Sequence, residues 1–170
     1  METQNKELHR ITSTAIIYNN DGKYLLLRRA LNKKAFPGKW TVPGGGLETD
    51  DYTNTSPTTS DGQWYFAIEK SLRREIKEET NVETGKLKYL LDLTFIRPDG
   101  VPCIILSFYG NYLLGEVKLD EDSIEYVWAT YEEAKNYDLI DGILEEIRMV
   151  DEILKGKNED EIIFNSNRTL

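Results

Sequence analysis

Arg74-Glu75-Ile76-Lys77-Glu78-Glu79-Thr80-Asn81-Val82 is the stretch on which the fold reading turns. It packs three carboxylates into about one and a half turns of a helix. Residues three and four apart on a helix are neighbours, so Glu75 lies beside both Glu78 and Glu79. Like charges so placed cost about 0.2–0.5 kcal/mol per pair. A helix shaped only for stability alternates its acids with lysines. One reading is a solvated acidic face, the usual fate of a charge run. The other is a site for a divalent cation, because carboxylate oxygens suit Mg²⁺ and Mn²⁺.

The flanking sequence favours the second. Upstream, Trp40-Thr41-Val42-Pro43-Gly44-Gly45-Gly46-Leu47-Glu48 reads as a strand running into three glycines. Glycine lets backbone approach a ligand with no Cβ in the way. The helix itself is expected from residue 63 or 64 to residue 80, with Asp61 as its cap. Tyr65, Ile68, Leu72 and Ile76 form its core stripe, while Lys70, Arg73 and Lys77 fall on the far side. Glu75 and Glu79 border the stripe, and Arg74 can reach Glu78 at i,i+4.

Working outward, residues 11–18 and 24–27 read as a hairpin about the turn Asn19-Asn20-Asp21-Gly22, closed by Arg28 and Arg29. Residues 30–39 form a loop turning at Phe36-Pro37-Gly38. Residues 49–62 are polar and read as a flexible insertion. Residues 87–96 and 101–112 read as an antiparallel pair about Pro98-Asp99-Gly100. Residues 115–122 form an acidic connection, and Tyr126-Val127-Trp128 a further strand. A helix starts within 131–137, and residues 140–154 form a second amphipathic helix. The tail, 156–170, is polar except for Ile162-Ile163-Phe164. Strands on both sides of one acidic helix, with a last helix covering the other sheet face, predict a single domain: an α/β/α sandwich with a mixed sheet.

The glycines and the acidic helix together resemble the Nudix box: Gly, five residues, Glu, seven residues, then Arg-Glu-apolar-any-Glu-Glu-any-Gly-apolar. Arg74, Glu75, Ile76, Glu78, Glu79 and Val82 fall in place. The sixth residue after Gly45 is Asp51 rather than Glu, and 22 residues separate it from Arg74 where the family has seven. The extra residues imply a surface insertion. The closing Gly is Asn81, the residue that best replaces Gly in the left-handed conformation after a helix.

The resemblance implies a hydrolase of a nucleoside diphosphate linked to another group, using Mg²⁺ or Mn²⁺. Glu78 and Glu79 would be the main ligands, with Glu75 and the Gly44 carbonyl as further ligands, and Arg74 orienting a glutamate. The cation would screen the charges of a pyrophosphate and acidify water. In many relatives an acid outside the box activates the water, and here Glu121, Asp122 and Glu125 are the candidates. Glu48 reads as supporting. Arg28 and Arg29 are candidates for the phosphates. Phe36, Trp40, Trp64 and Tyr65 could stack on a base, though aromatics mostly serve the core.

A net charge of −9 argues against non-specific binding to nucleic acid or anionic membranes. The single cysteine, Cys103, excludes an internal disulfide and a thiolate metal cluster and reads as a core thiol. The sole histidine, His9, precedes the first strand and takes no role. No apolar stretch approaches 18 residues and the first six residues carry no signal-peptide pattern, so the cytoplasm is expected. Homodimerisation stays open. Two rival functions share the fold: a nucleotide-sensing module, and an isopentenyl diphosphate isomerase, which would need a cysteine near the metal.

Overall fold

The computed structural model describes residues 7–165. Strand β1, Arg10–Tyr18, is the axis of an eight-stranded mixed sheet. It runs parallel to β7, Pro102–Leu114, from Arg10 opposite Cys103 to Tyr18 opposite Asn111. Strand β6, Lys88–Ile96, pairs antiparallel with β7 across the expected turn.

The expected hairpin survives only at its turn, where Tyr18 faces Tyr24. Strand β2, Tyr24–Arg29, then leaves β1 to pair with β8, Ser123–Ala129, and with β3, Trp40–Thr41. The glycines take its place: Gly44–Gly46 form β4, opposite Thr14, Ser13 and Thr12 of β1. A short β5, Glu83–Thr84, completes the sheet against β7.

Strand alternation sends neighbouring residues to opposite faces. Ala15, Ile17, Leu25 and Leu27 pack on Leu72 and Ile76 of helix α2, Ala67–Thr80. Ile16, Leu26 and Tyr109 pack on Ile143, Ile147 and Val150 of helix α4, Ile143–Leu154. The architecture is the expected α/β/α sandwich.

Four details depart from the sequence reading. Helix α2 begins at Ala67, because Phe66 adopts a left-handed backbone (φ 61°) that ends the preceding turn. Phe66 is its N-cap, without a side-chain cap bond, so Asp61 does not cap it. Tyr65, expected in the core stripe, is 53% exposed for the same reason. The insertion is exposed as expected but not a plain loop: it carries the one-turn helix α1, Asp50–Thr53. The Trp64 ring lies 5.5 Å from that of Tyr52, and its Nε1–H donates to the Thr55 carbonyl. The far end of α2 closes as its sequence predicts. Asn81 is left-handed (φ 59°), and its N–H donates to the Lys77 carbonyl at 2.9 Å.

After β8 come the one-turn helix α3, Tyr131–Ala134, whose cap is closed reciprocally by Thr130 and Glu133, and then α4. The first part of the tail docks. Ile162 is buried and Arg148 donates to the Ile163 carbonyl at 2.7 Å, while Ile163 itself is exposed. Residues 166–170 of the tail, and the first six residues read for a signal peptide, lie outside the described residues. Among the described residues no helix is long and apolar enough to cross a membrane.

Shortening the insertion between residues 54 and 63, with Asp51 kept, is expected to leave the fold intact. A shorter surface loop changes closure entropy by less than about 1 kcal/mol. Circular dichroism and thermal melting check this, and loss of the cooperative transition would place the loop in the core.

Candidate active site

Helix α2 and strand β4 meet at the mouth of a cleft of about 1130 Å³. Gly44, Gly45, Gly46, Glu75, Glu78 and Glu79 line one end of it, together with Arg29 and Asp120. The glycines serve close approach. Gly44 has φ 152°, and a Cβ there would strike the Ser13 carbonyl. A Cβ on Gly45 would collide with the Glu75 carboxylate. The acid-bearing face of α2 therefore presses directly on the glycine backbone.

Glu79 Oε2 accepts the Gly44 N–H at 2.9 Å. Burial pushes its carboxyl up to about 8; the Gly44 bond opposes the rise, and the charges of Glu75 and Asp120 add to it. Burial also pushes Glu75 up, against the pull of the Arg74 guanidinium. Arg74 is the clamp of the site. Its guanidinium pairs with Glu75 at 3.0 Å, with Glu78 at 2.8 Å and with Asp51 through two nitrogens, the longer bond being 3.1 Å. It also donates to the Gly46 carbonyl at 3.3 Å. The Asp51 carboxyl, hydrogen-bonded to Arg74, is held down to about 2. Asp51 thus stands where the motif has Glu, and the insertion follows it.

The other expected site residues divide. Arg29 and Phe36 line the cleft. Arg29 Nε–H donates to the Ala35 carbonyl at 3.0 Å, and the Glu79 and Asp122 charges act on its guanidinium. Arg28, its neighbour on β2, points elsewhere and pairs with Glu125 at 3.3 Å, directly across the β2–β8 register. Neither Arg28 nor Glu125 lines the cleft. Trp40 is absent from it too, since its ring packs edge-on against Tyr137, 4.8 Å away, in the core under α4. Trp64 and Tyr65 stand with the insertion, and no residue from 49 to 66 reaches the cleft. Of the three acids before β8, Glu121 and Asp122 line the cleft, and Asp122 is tied to Lys33 at 2.6 Å. Glu48 lines it as well.

Sequence reading missed Asp120, Asp51 and Glu146. Asp120 lies one residue outside the acids considered. Asp51 departs from the Glu of the motif. Glu146 is a buried acid on α4 that lines the far end of the cleft. Its spacing was a usable signal, since it falls three residues after Ile143 and four before Val150, on the buried face of the helix.

The donors fit a hard divalent cation. They are carboxylate oxygens with backbone carbonyls beside them, which is the set Mg²⁺ and Mn²⁺ prefer. Burial is the main cause of the raised Glu75 and Glu79 carboxyls, and a dication beside them would favour their charged forms. Among the described residues, no three acids converge into a ready-made cage. Arg74 holds Glu75 and Glu78, so a cation would compete with it for both.

These shifts make a pH prediction. A carboxyl raised in the folded state binds its proton more tightly there, so its stabilisation is lost as pH rises. For Glu79 the loss runs from its ordinary 4.5 to about 8. Asp51 acts oppositely: its contribution is present above its ordinary 3.8 and is lost as pH falls towards 2. Without added metal, stability should fall by a few kcal/mol between pH 5 and pH 8, since each pKa unit corresponds to about 1.4 kcal/mol. Saturating Mg²⁺ should flatten that slope. Melting temperatures across the range, with and without Mg²⁺, check both statements.

A mixed sheet between helices, with an acidic helix docked on a glycine strand at an open cleft, defines an α/β/α sandwich with an acid-lined site. The NUDIX-domain family model matches residues 8–148. The nucleoside triphosphatase NudI of Klebsiella pneumoniae (strain 342) is 31% identical over 134 residues, covering 72% of this chain and 84% of that protein. The chain belongs to the NUDIX family and is an enzyme of the pyrophosphohydrolase class. Among solved structures, the MutT protein from Methanosarcina mazei Go1 matches with a TM-score of 0.66 at 25% identity, over 91% of this chain and all of that one. The NUDIX domain of Shewanella oneidensis NrtR, crystallised with ADP ribose, gives a TM-score of 0.66 at 16% identity over 91% of this chain and 94% of that one, a likeness of fold alone.

Proposed function

We propose that this protein cleaves a pyrophosphate bond in a nucleoside diphosphate linked to another group, such as a nucleoside triphosphate, with Mg²⁺ or Mn²⁺ held by Glu75, Glu78, Glu79 and the Gly44 carbonyl. One observation carries the reading: the Glu79 carboxylate, half-buried against the glycine strand beside Glu75, opens onto the same cleft as the cationic Arg29. The similarity to a nucleoside triphosphatase supports a nucleotide as substrate. The bound cation supplies charge neutralisation at the phosphates and a more acidic water.

The chain's own residues divide the remaining work. Arg29, at the same end of the cleft as the glutamates, meets the phosphates. Arg74 fixes Glu75 and Glu78 to α2 and Asp51 to the start of the insertion. Of the three acids expected for this role before β8, Glu121 takes the proton of the attacking water. It lines the cleft and, among the described residues, forms no ion pair, whereas Asp122 is tied to Lys33 and Glu125 to Arg28. Positioning and charge, rather than covalent chemistry, account for most catalysis of this type.

The test is a panel of nucleoside triphosphates, sugar nucleotides, ADP-ribose and dinucleoside polyphosphates, incubated with Mg²⁺ and scored by product. Replacing Glu121 with Gln should lower kcat by about 10²–10⁴-fold, the range of general-base catalysis, and leave KM nearly unchanged. A silent panel would overturn the proposed function, and an unaltered kcat would remove Glu121 from it.

A further inference from the structure

Beyond the acids, the cleft extends onto the sheet face that carries α4. Thr12 of β1, Ile105 of β7 and Leu93 of β6 stand side by side across that face and form its floor. Phe36 lines the same region, its ring 6.2 Å from that of Phe95.

Glu146 enters this mainly apolar region from the first turns of α4 and is only 4% exposed. Its Oε2 accepts the Ser107 hydroxyl at 2.5 Å. Among the described residues that is its one side-chain hydrogen bond, and no cation pairs with it. A buried carboxylate is costly unless donors satisfy it, and apolar side chains of similar volume would pack a structural core as well or better. Burial pushes the Glu146 carboxyl up and the Ser107 bond opposes the rise; in its ionised form, which a further pair of donors would favour, it only accepts, at about four lone-pair positions, of which Ser107 fills one. Glu146 lines the cleft, and among the described residues no further hydrogen bond takes up its remaining capacity.

We propose that Glu146, held by Ser107, reads the base of the nucleotide and selects one that offers two adjacent N–H donors on a single edge, the 2-amino-6-oxopurine class of guanine. The assignment rests on the nucleotide reading above. Guanine presents a ring N–H and an exocyclic amino group side by side, which two carboxylate oxygens can accept together. Adenine and cytosine set an amino donor beside a ring acceptor, whose lone pair would face the carboxylate. Uracil and thymine offer a single N–H between two carbonyls. Phe36 supplies an aromatic face for the ring, and the phosphates then extend towards Arg29 and the glutamates. A site built to satisfy a polar edge rejects analogues lacking it more strongly than an apolar pocket can, because its own buried group is left unpaired.

The test compares kcat/KM for GTP, ATP, CTP and UTP in the parent protein, Glu146→Gln and Ser107→Ala, with thermal melting of all three. The parent should favour GTP. Glu146→Gln puts an amide donor against the donors of guanine. It should lower kcat/KM for GTP by about tenfold or more, mainly through KM, and should lower none of the other three by more than about threefold. Ser107→Ala should show a smaller loss with the same selectivity. If Glu146→Gln does not fold, Ser107→Ala decides alone. A parent without preference for GTP, or variants that lower all four substrates equally, would overturn the assignment and leave Glu146 a structural residue. A parent that turns over none of the four while hydrolysing other members of the wider panel would also overturn it, with the hydrolase reading intact. Silence across the whole panel would sink both.

Discussion

Glu79→Gln is expected to lower kcat/KM by about 10²–10³-fold while leaving the fold as stable as before or more so. The loss corresponds to about 3–4 kcal/mol of transition-state stabilisation, the scale of charge stabilisation by a catalytic cation. Gln keeps the length of the side chain and an oxygen that can accept the Gly44 N–H. It removes a carboxylate that burial already disfavours, pushed up to about 8, and relieves a like-charge i,i+4 contact with Glu75. Activity and stability should therefore move in different directions. That divergence separates a functional acid from an ordinary surface charge, whose loss would leave turnover unchanged. Parallel measurement of Mg²⁺-dependent hydrolysis and thermal melting reads both.

Arg74→Ala should act on stability and activity together. Its guanidinium binds three carboxylates from two segments, and the Asp51 side chain it covers is only 4% exposed. Removing one partner of a fully buried pair costs about 3–5 kcal/mol. Arg74 itself is 30% exposed, which reduces the cost to about 2–3 kcal/mol. In a protein of this size that lowers the Tm by roughly 5–12 °C. Glu75 and Glu78 lose their anchor, so hydrolysis should fall as well. Much of the stability cost is the unpaired Asp51, so adding Asp51→Asn to Arg74→Ala should restore part of it, with a coupling of about 0.5–3 kcal/mol. Strict additivity of the two changes would show that Asp51 and Arg74 do not depend on each other.

The sequence made the sandwich legible because its signals were local and periodic. Leu72 and Ile76 placed the buried face of α2, the three glycines marked the close approach of β4, and Asn81 marked the left-handed end of the helix. The start of α2 was not legible. Trp64-Tyr65-Phe66 continues the apolar spacing, but the left-handed Phe66 breaks the helix there, and residue type gives little sign of a positive φ in an aromatic. The partner of β2 was obscured in the same way: adjacency argued for a hairpin with β1, while distant β8 and the glycines of β4 divided the edges between them.

Within the site, residues of the motif were readable and residues brought in by tertiary pairing were not. Whether Arg28 or Arg29 faces the cleft depends on strand alternation and on the register that sets Arg28 opposite Glu125. Asp51 looked like a defect in the motif until its bonds to Arg74 placed it there. Trp40 carried the letters of a stacking residue, yet its ring serves the core beneath α4.

The central claim is that Glu75, Glu78 and Glu79 hold the divalent cation, and its most direct measurement is Mn²⁺ binding followed by electron paramagnetic resonance in the parent protein and in Glu79→Gln. The parent should bind Mn²⁺ in competition with Mg²⁺, and Glu79→Gln should bind it at least about tenfold more weakly, a difference of about 1.4 kcal/mol or more. Equal binding by the two proteins, or none by the parent, would contradict the claim.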